Sequence, residues 1–236
     1  MVIGMNIFIG DQYYTSKHKF IFIGESHYIE NRNSESDYNR IVNYLNIIDY
    51  SLKEQERAFS YYWYNNYRTN NKIQLNFDNY FNTDFVVKEV ISNYEKGKST
   101  PRPHRIIWIP AMIYNNLFGK VYDKKEIAKT LHKFCFMNYF TRPSLVQGKS
   151  ILNNSVDNQK TFENLIFVLN QLLPNSIVFL SKRAYTSFQE SCKLNKFIFP
   201  IEILNLRHPA YFKAWSKSGE DYLKLKNFMQ RQLIKD

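Results

Sequence analysis

The stretch that decides the fold is Phe20-Ile-Phe-Ile-Gly-Glu-Ser-His-Tyr28, in which an apolar run ends at a glycine and four polar or aromatic residues follow. An apolar run that ends at a glycine is typical of a buried strand followed by a tight turn. The apolar stretch at 134–137 and a further predicted strand at 201–206 also lead directly into polar residues. Ligands bind beyond the carboxyl ends of the strands in an open α/β sheet. We therefore expect the three polar segments to form one pocket.

Helical patterns separate these strands, and their alternation predicts an α/β fold. Predicted helices cover about 36–67, 83–94, 111–117, 124–132, 161–173, 183–192 and 220–234. A fourth predicted strand covers 177–180. A chain of 236 residues allows one large domain. We expect a single domain over 1–236, three-layer α/β/α with a central, mostly parallel four-stranded sheet, and a helical insertion at about 30–105.

The composition favours a polyanionic partner. Lys and Arg number 32 against 21 Asp and Glu, a net charge of +11, and nucleic acid is the usual partner of such a surface. Surplus lysine can also form a plain solvated surface, so charge alone does not decide the function. Cys135 and Cys192 are far apart, which indicates neither a disulfide framework nor a zinc site. We expect a monomeric cytoplasmic protein without a metal ion, a signal peptide or a membrane span.

Three motifs occur in a fixed order. Gly24-Glu-Ser-His-Tyr28 comes first, Asn138-x-x-x-Arg-Pro143 lies in the middle, and His208-Pro-x-x-Phe212 lies near the end. Together they resemble the ordered motifs of the uracil-DNA glycosylase superfamily. The resemblance covers the frame of the chain and not its whole length. It implies a uracil-DNA-glycosylase-like fold. It also implies an activity, in which the protein flips a base of DNA into a pocket and hydrolyses its glycosidic bond.

The first motif supplies most of the implied catalytic groups. In the superfamily this turn carries an acidic or amide residue that positions the attacking water, which here implies Glu25 with Ser26 or His27. Gly24 would let the backbone approach the base, and Tyr28 falls where the main uracil class has the tyrosine that excludes thymine. Ser26 replaces the usual Asp of that class and His27 the following Pro. Glu25 could replace the missing base if it reaches the water, or it could hold a backbone amide.

The second motif places Asn138 at the end of an apolar run. An amide offers one donor group and one acceptor, which is how the edge of a flipped base is read. The resemblance implies this base-binding role for Asn138, and the pair Arg142-Pro143 is similar to the iron–sulfur class. The alternative is that Asn138 caps a turn, as Asn often does.

The third motif is the most specific of the three. In the superfamily its histidine stabilises the negative charge of the departing base, and a following apolar side chain inserts into the duplex. The resemblance assigns these roles to His208 and Phe212. Lys182, Arg183 and Lys213 would contact the DNA backbone, which requires only a cation on the right face.

The implied chemistry needs no metal or redox cofactor, because oriented dipoles and His208 suffice for an anionic leaving group. Two cysteines are too few for a four-cysteine iron–sulfur cluster. One alternative is a non-catalytic nucleic-acid-binding module on the same fold. Another is a hydrolase with Ser26 as nucleophile and His208 as base, although the chain lacks the Gly-x-Ser-x-Gly elbow. The sequence leaves open the target base, the oligomeric state and the role of the insertion.

Overall fold

The computed structural model describes residues 7–27, 51–64, 83–101, 104–120, 122–145 and 149–235. These residues form an α/β fold around a five-stranded sheet with the order β1-β3-β2-β4-β5. Strands β2 to β5 are mutually parallel, and β1 pairs with β3 in the antiparallel direction. The strands are β1 (Ile7–Ile9), β2 (Phe20–Gly24), β3 (Cys135–Asn138), β4 (Ser176–Phe179) and β5 (Glu202–Asn205).

Seven α-helices lie within the described ranges, together with a short 3₁₀ helix over Phe212–Trp215. The helices are α1 (Leu52–Tyr62), α2 (Thr83–Glu95), α3 (Arg105–Leu117), α4 (Lys124–Leu131), α5 (Ser155–Leu172), α6 (Lys182–Leu194) and α7 (Glu220–Lys235). None of these helices combines the length and apolar character that crossing a bilayer requires.

The sheet separates two hydrophobic cores because successive side chains of a strand point to opposite faces. Phe20 and Phe22 of β2 pack in one core with residues of α2, α3, α4 and α7. Ile21 and Ile23 pack in the other core with residues of α5 and α6. Helices therefore cover both faces, which explains why the central strands are apolar without alternation.

The predicted α/β class is confirmed, but the sheet has five strands instead of the expected four. The additional strand is β1, whose three residues are too few to form a periodic pattern in the sequence. The start of α3 was also predicted too late, at 111. Pro110 lies inside this helix and is buried with Ile107 and Ile109, so packing overrides the usual tendency of proline to break a helix.

The start of α5 was predicted six residues too late, at 161. The helix begins at Ser155, where Asn154 accepts hydrogen bonds from the backbone of Val156 and Asp157 and forms a capping box with Asp157. Within the predicted insertion at about 30–105, the structure describes α1 and α2. Residues 28–50 and 65–82 lie outside the described residues.

Candidate active site

The carboxyl ends of the parallel strands place the three sequence motifs at one edge of the sheet. Gly24 pairs directly with Asn138 in the register of β2 and β3. The chain beyond the first strand stays attached to the second motif, because Tyr139 donates to the carbonyl of Gly24 at 3.1 Å and Phe140 donates to the carbonyl of Glu25 at 2.8 Å. The predicted neighbourhood of the first two motifs is therefore present.

The Asn138 side chain lies against the backbone of Gly24. A Cβ atom at residue 24 would overlap Asn138 Oδ1 and would approach Ile106 Cδ1 to 3.2 Å. Only a glycine leaves room for the amide in this position. Asn138 itself is half-buried at the end of β3, so its amide is held at the strand end with part of its surface open.

Both carboxylate oxygens of Glu25 accept hydrogen bonds from the protein. Ile151 donates its backbone N–H to Oε1 at 3.2 Å, and the hydroxyl of Ser181 donates to Oε2 at 2.8 Å. Ser181 also caps α6, where its oxygen accepts from the backbone of Ala184 at 3.3 Å. Glu25 is half-buried, and the two donors fix its orientation.

Ser181 and Ile151 are not among the predicted site residues, although both donate to Glu25. A serine between an apolar strand and a helix is a recognisable N-cap signal, so Ser181 could have been found as a cap. Its bond to Glu25 had no such signal. Ile151 contributes through its backbone N–H, which every residue except proline carries, so no side-chain pattern could identify it.

His208 is half-buried in the turn after β5. Its Nδ1 accepts a hydrogen bond from the backbone N–H of Ala210 at 3.2 Å. Burial lowers the pKa of His208, and the negative charge of Glu25 acts in the opposite direction. The imidazole is therefore neutral near neutral pH, with its proton on Nε2 because Nδ1 is an acceptor. β4 pairs in parallel with both β2 and β5, so the first and third motifs follow strands that end at the same edge of the sheet.

His27 points to another part of the structure. Its Nε2 lies 3.3 Å from the hydroxyl of Thr83 at the start of α2, and its carbonyl accepts from the backbone of Ser144 at 2.8 Å. Burial lowers the pKa of His27 to about 4, so this imidazole is also neutral at physiological pH. These contacts tie the first motif to α2 and to the loop after β3.

Ser26 is half-buried, and its hydroxyl forms no hydrogen bond with any described residue. The hydrolase alternative requires a histidine nitrogen that accepts the serine proton. His208 Nδ1 already accepts from Ala210, and no bond joins Ser26 to His208 among the described residues. The geometry gives the hydrolase alternative no support.

Two predicted site side chains, those of Tyr28 and Phe212, are not described by the structure. Tyr28 lies outside the described residues. Phe212 begins the 3₁₀ helix, and its side chain lies outside what the structure describes. Its neighbour Tyr211 is 66% exposed and donates its backbone N–H to the His208 carbonyl at 3.0 Å. The His208 turn therefore presents at least one aromatic ring to solvent.

Lys182, Arg183 and Lys213, the three predicted phosphate contacts, are exposed. Arg183 donates to Asn153 Oδ1 at 2.8 Å. No ion pair joins Lys182 or Lys213 to another described residue. Lys182 and Arg183 start α6 directly after Ser181, and Lys213 lies five residues after His208. Positive charge therefore flanks both Glu25 and His208.

Arg142 of the second motif is fully buried and does not face solvent. It forms ion pairs with Asp157 and with Glu56 of α1. Burial raises the pKa of Glu56, the Arg142 guanidinium opposes that rise, and the Asp157 carboxylate adds to it. The arginine therefore organises the interior next to the site.

We compared the chain with protein-family models, curated proteins and solved structures, and no match was found in any of the three.

Proposed function

We propose that this chain is a DNA N-glycosylase with a uracil-DNA-glycosylase-like arrangement, which flips one base into a pocket and hydrolyses its glycosidic bond. The observation that carries the proposal is the placement of Glu25, Asn138 and His208 after three different strands that end at one sheet edge. Functional groups of open α/β sheets gather at this edge. The order of the three motifs along the chain supports the same function.

Asn138 would read the edge of the flipped base. Its amide provides a donor group and an acceptor, and the close fit against Gly24 restricts where that amide can lie. A restricted amide selects a base by its pattern of donors and acceptors. The identity of the accepted base then depends on which way the amide is turned.

His208 would stabilise the departing base. When the bond between C1′ and the base nitrogen breaks, its electron pair leaves with the base and creates an anion. The neutral imidazole of His208 has its proton on Nε2, so it can donate a hydrogen bond to an anionic oxygen of the base. A fixed donor in a partly buried site stabilises developing charge better than mobile water does.

Glu25 would orient the attacking water and accept its proton. Each carboxylate oxygen can accept two hydrogen bonds, and the protein uses one on each oxygen. The remaining lone pairs can bind a water, with the Ser26 hydroxyl as a second partner. The water oxygen bonds to C1′, its proton passes to Glu25, and the products are an abasic sugar and the released base.

The surface around the site fits a DNA strand. Lys182, Arg183 and Lys213 would contact phosphates, and the net charge of +11 would attract the polyanion. Phe212 would insert between base steps to help extrude the nucleotide, and Tyr28 would line the base pocket.

A single-turnover assay tests the proposal. Oligonucleotides that contain uracil, hypoxanthine or a hydroxymethyl pyrimidine are incubated with excess protein, and abasic sites are detected by alkaline cleavage. We expect product from at least one substrate, and loss of that product in Glu25→Gln and His208→Ala. His132→Gln is the matched control, because His132 lies near Asp11, before the start of β3 and away from the carboxyl ends of the strands. Absence of product with every substrate would reject the proposed glycosylase activity.

One observation favours a second candidate, a non-catalytic nucleic-acid-binding module. Glu25 accepts hydrogen bonds from the Ile151 backbone N–H and from Ser181, the cap of α6. A Glu25 with a purely structural role would make the same contacts. This candidate predicts DNA binding without product, and binding that does not change in His208→Ala. A filter-binding titration beside the cleavage assay separates the two candidates.

A further inference from the structure

Arg142 uses its guanidinium entirely inside the protein. Its Nε and Nη2 donate to the two carboxylate oxygens of Asp157, each at 2.7 Å, and its Nη1 pairs with Glu56. Nη1 also donates to the carbonyl of Pro143 and Nη2 to the carbonyl of Leu152, both at 3.1 Å. A buried guanidinium with this many acceptors has one fixed orientation.

The bond to the Leu152 carbonyl leads directly to Glu25. Ile151, the preceding residue, donates its backbone N–H to Glu25 Oε1 at 3.2 Å. Asp157 holds the other end of the segment 151–154, because it accepts from the backbone N–H of Asn154 at 3.2 Å. The donor that fixes Glu25 therefore belongs to a segment fastened by Arg142 and Asp157.

Helix α1 of the insertion completes this cluster. Glu56 accepts from the backbone N–H of Leu145 at 3.3 Å in addition to its ion pair with Arg142. The hydroxyl of Ser60, one turn further along α1, lies 2.7 Å from the Glu56 carbonyl and 3.2 Å from Asp157 Oδ2, so its single proton is shared between these two acceptors. Asp157 binds Nε and Nη2 of Arg142, and Glu56 binds Nη1 from α1. Helix α1 therefore supplies the second carboxylate that fixes the guanidinium.

We infer that Arg142 is a positioning residue for Glu25, acting through the Leu152 carbonyl and the Ile151 amide, and that the insertion contributes to the site by supplying Glu56. The role of Glu25 as the base that orients water rests on the proposed function. The positioning itself does not, because it concerns a hydrogen bond within the protein. The insertion is then part of the catalytic framework.

Two measurements on Glu56→Gln test the inference. Glutamine keeps the size of Glu56 but has one acceptor oxygen in place of two, so its NH2 group must face either Arg142 Nη1 or the Leu145 N–H, both of which are donors. Hydrogen exchange of the Ile151 amide, followed by NMR, reports its bond to Glu25. The single-turnover rate constant reports the consequence for catalysis. We expect faster exchange of Ile151 and a rate constant lower by about tenfold to a hundredfold, with DNA affinity unchanged, because orientation is lost and not binding.

Thr130→Val is the matched control. Thr130 donates to Asn115 Oδ1 at 2.6 Å in a buried contact between α4 and α3, so this variant also loses one buried polar interaction. It should leave the exchange of Ile151 and the rate constant unchanged after correction for global stability. If Glu56→Gln does not fold, Ser60→Ala removes a weaker contact of the same cluster and should shift both readouts in the same direction.

The outcomes separate the two proposals. Unchanged Ile151 exchange in folded Glu56→Gln or Ser60→Ala, or an equal change in Thr130→Val, would overturn the positioning inference. Faster exchange of the Ile151 amide in Glu56→Gln, together with no base release by the wild type, would support the positioning inference and reject the glycosylase proposal. Base release at an unchanged rate in a variant with faster exchange would show that the Ile151 bond does not control Glu25.

Discussion

The amide of Asn138 lies across the end of β2 because residue 24 is a glycine, and a Cβ atom there would overlap Asn138 Oδ1. The two residues are 114 positions apart in the chain (138 minus 24) and are paired in the register of β2 and β3. The missing side chain on β2 thus makes room for the Asn138 amide on β3.

Gly24→Ala should reduce base release by about a hundredfold while changing the free energy of unfolding by only about 1 kcal/mol, because the added methyl displaces the end of a flexible side chain. Gly10→Ala is the contrasting variant. Its Cβ would overlap the backbone of His132, so it should destabilise the fold by about 3 kcal/mol. Urea denaturation and the cleavage assay together measure both effects. Equal activity of Gly24→Ala and the wild type would contradict the role of Asn138.

Ser181→Ala should lower activity more than its effect on stability explains. Loss of the N-cap of α6 costs about 1 kcal/mol, but the same substitution also frees Glu25 Oε2. Asp123→Ala is the control, because Asp123 caps α4 by accepting from the backbone of Glu126 at 3.0 Å. Ser181→Thr should restore activity. The cleavage assay and thermal denaturation give both quantities, and equal activity losses in the two cap variants would argue against the contact with Glu25.

Acidification should destabilise the protein through His27. Its pKa is 6.5 in the unfolded chain and about 4 in the fold. Between these values the unfolded state binds more protons than the folded state, so stability falls as the pH falls from 6.5 to 4. The total loss is up to about 3 kcal/mol. Urea denaturation across this pH range should show a flatter dependence for His27→Gln, and identical slopes would exclude His27 as the cause.

His208 should titrate below the ordinary value for histidine. Burial lowers its pKa and Glu25 opposes that change, so Glu25→Gln should lower the pKa of His208 further. Nitrogen-15 NMR of the imidazole should show the neutral form with the proton on Nε2 near neutral pH. A pKa of His208 that rises in Glu25→Gln would contradict the proximity of the two residues.

Lys182→Gln should weaken DNA binding and reduce the dependence on salt. If Lys182 contacts one phosphate, the slope of log K against log salt should fall by about 1. Lys129→Gln removes the same charge from α4, where Lys129 pairs with Glu126 at 2.7 Å, and should leave the slope unchanged. Fluorescence anisotropy at several salt concentrations measures both slopes. Equal slopes for Lys182→Gln and wild type would show that Lys182 does not contact a DNA phosphate.

The sequence alone determined the elements whose signals are local. The apolar runs before Gly24, Asn138 and Asn205 form strands, and the helices at Thr83–Glu95 and Lys124–Leu131 agree closely with their predicted ranges. Parallel strands then bring their carboxyl ends to one edge, so the placement of the three motifs at one edge of the sheet also followed from the pattern. Apolar burial and helix capping act over a few residues, which is why they can be read from neighbouring positions.

Only the tertiary structure decided which groups hold the site. Glu25 takes one partner 126 residues away and another 156 residues away. Arg142, an exposed type of residue in most proteins, is buried because Glu56 and Asp157 come together around it. Such partners are chosen by the packing of helices on the sheet, and buried polar groups bond to whatever acceptor that packing supplies. A linear sequence does not specify that packing by local pattern, so these contacts had to be observed in three dimensions.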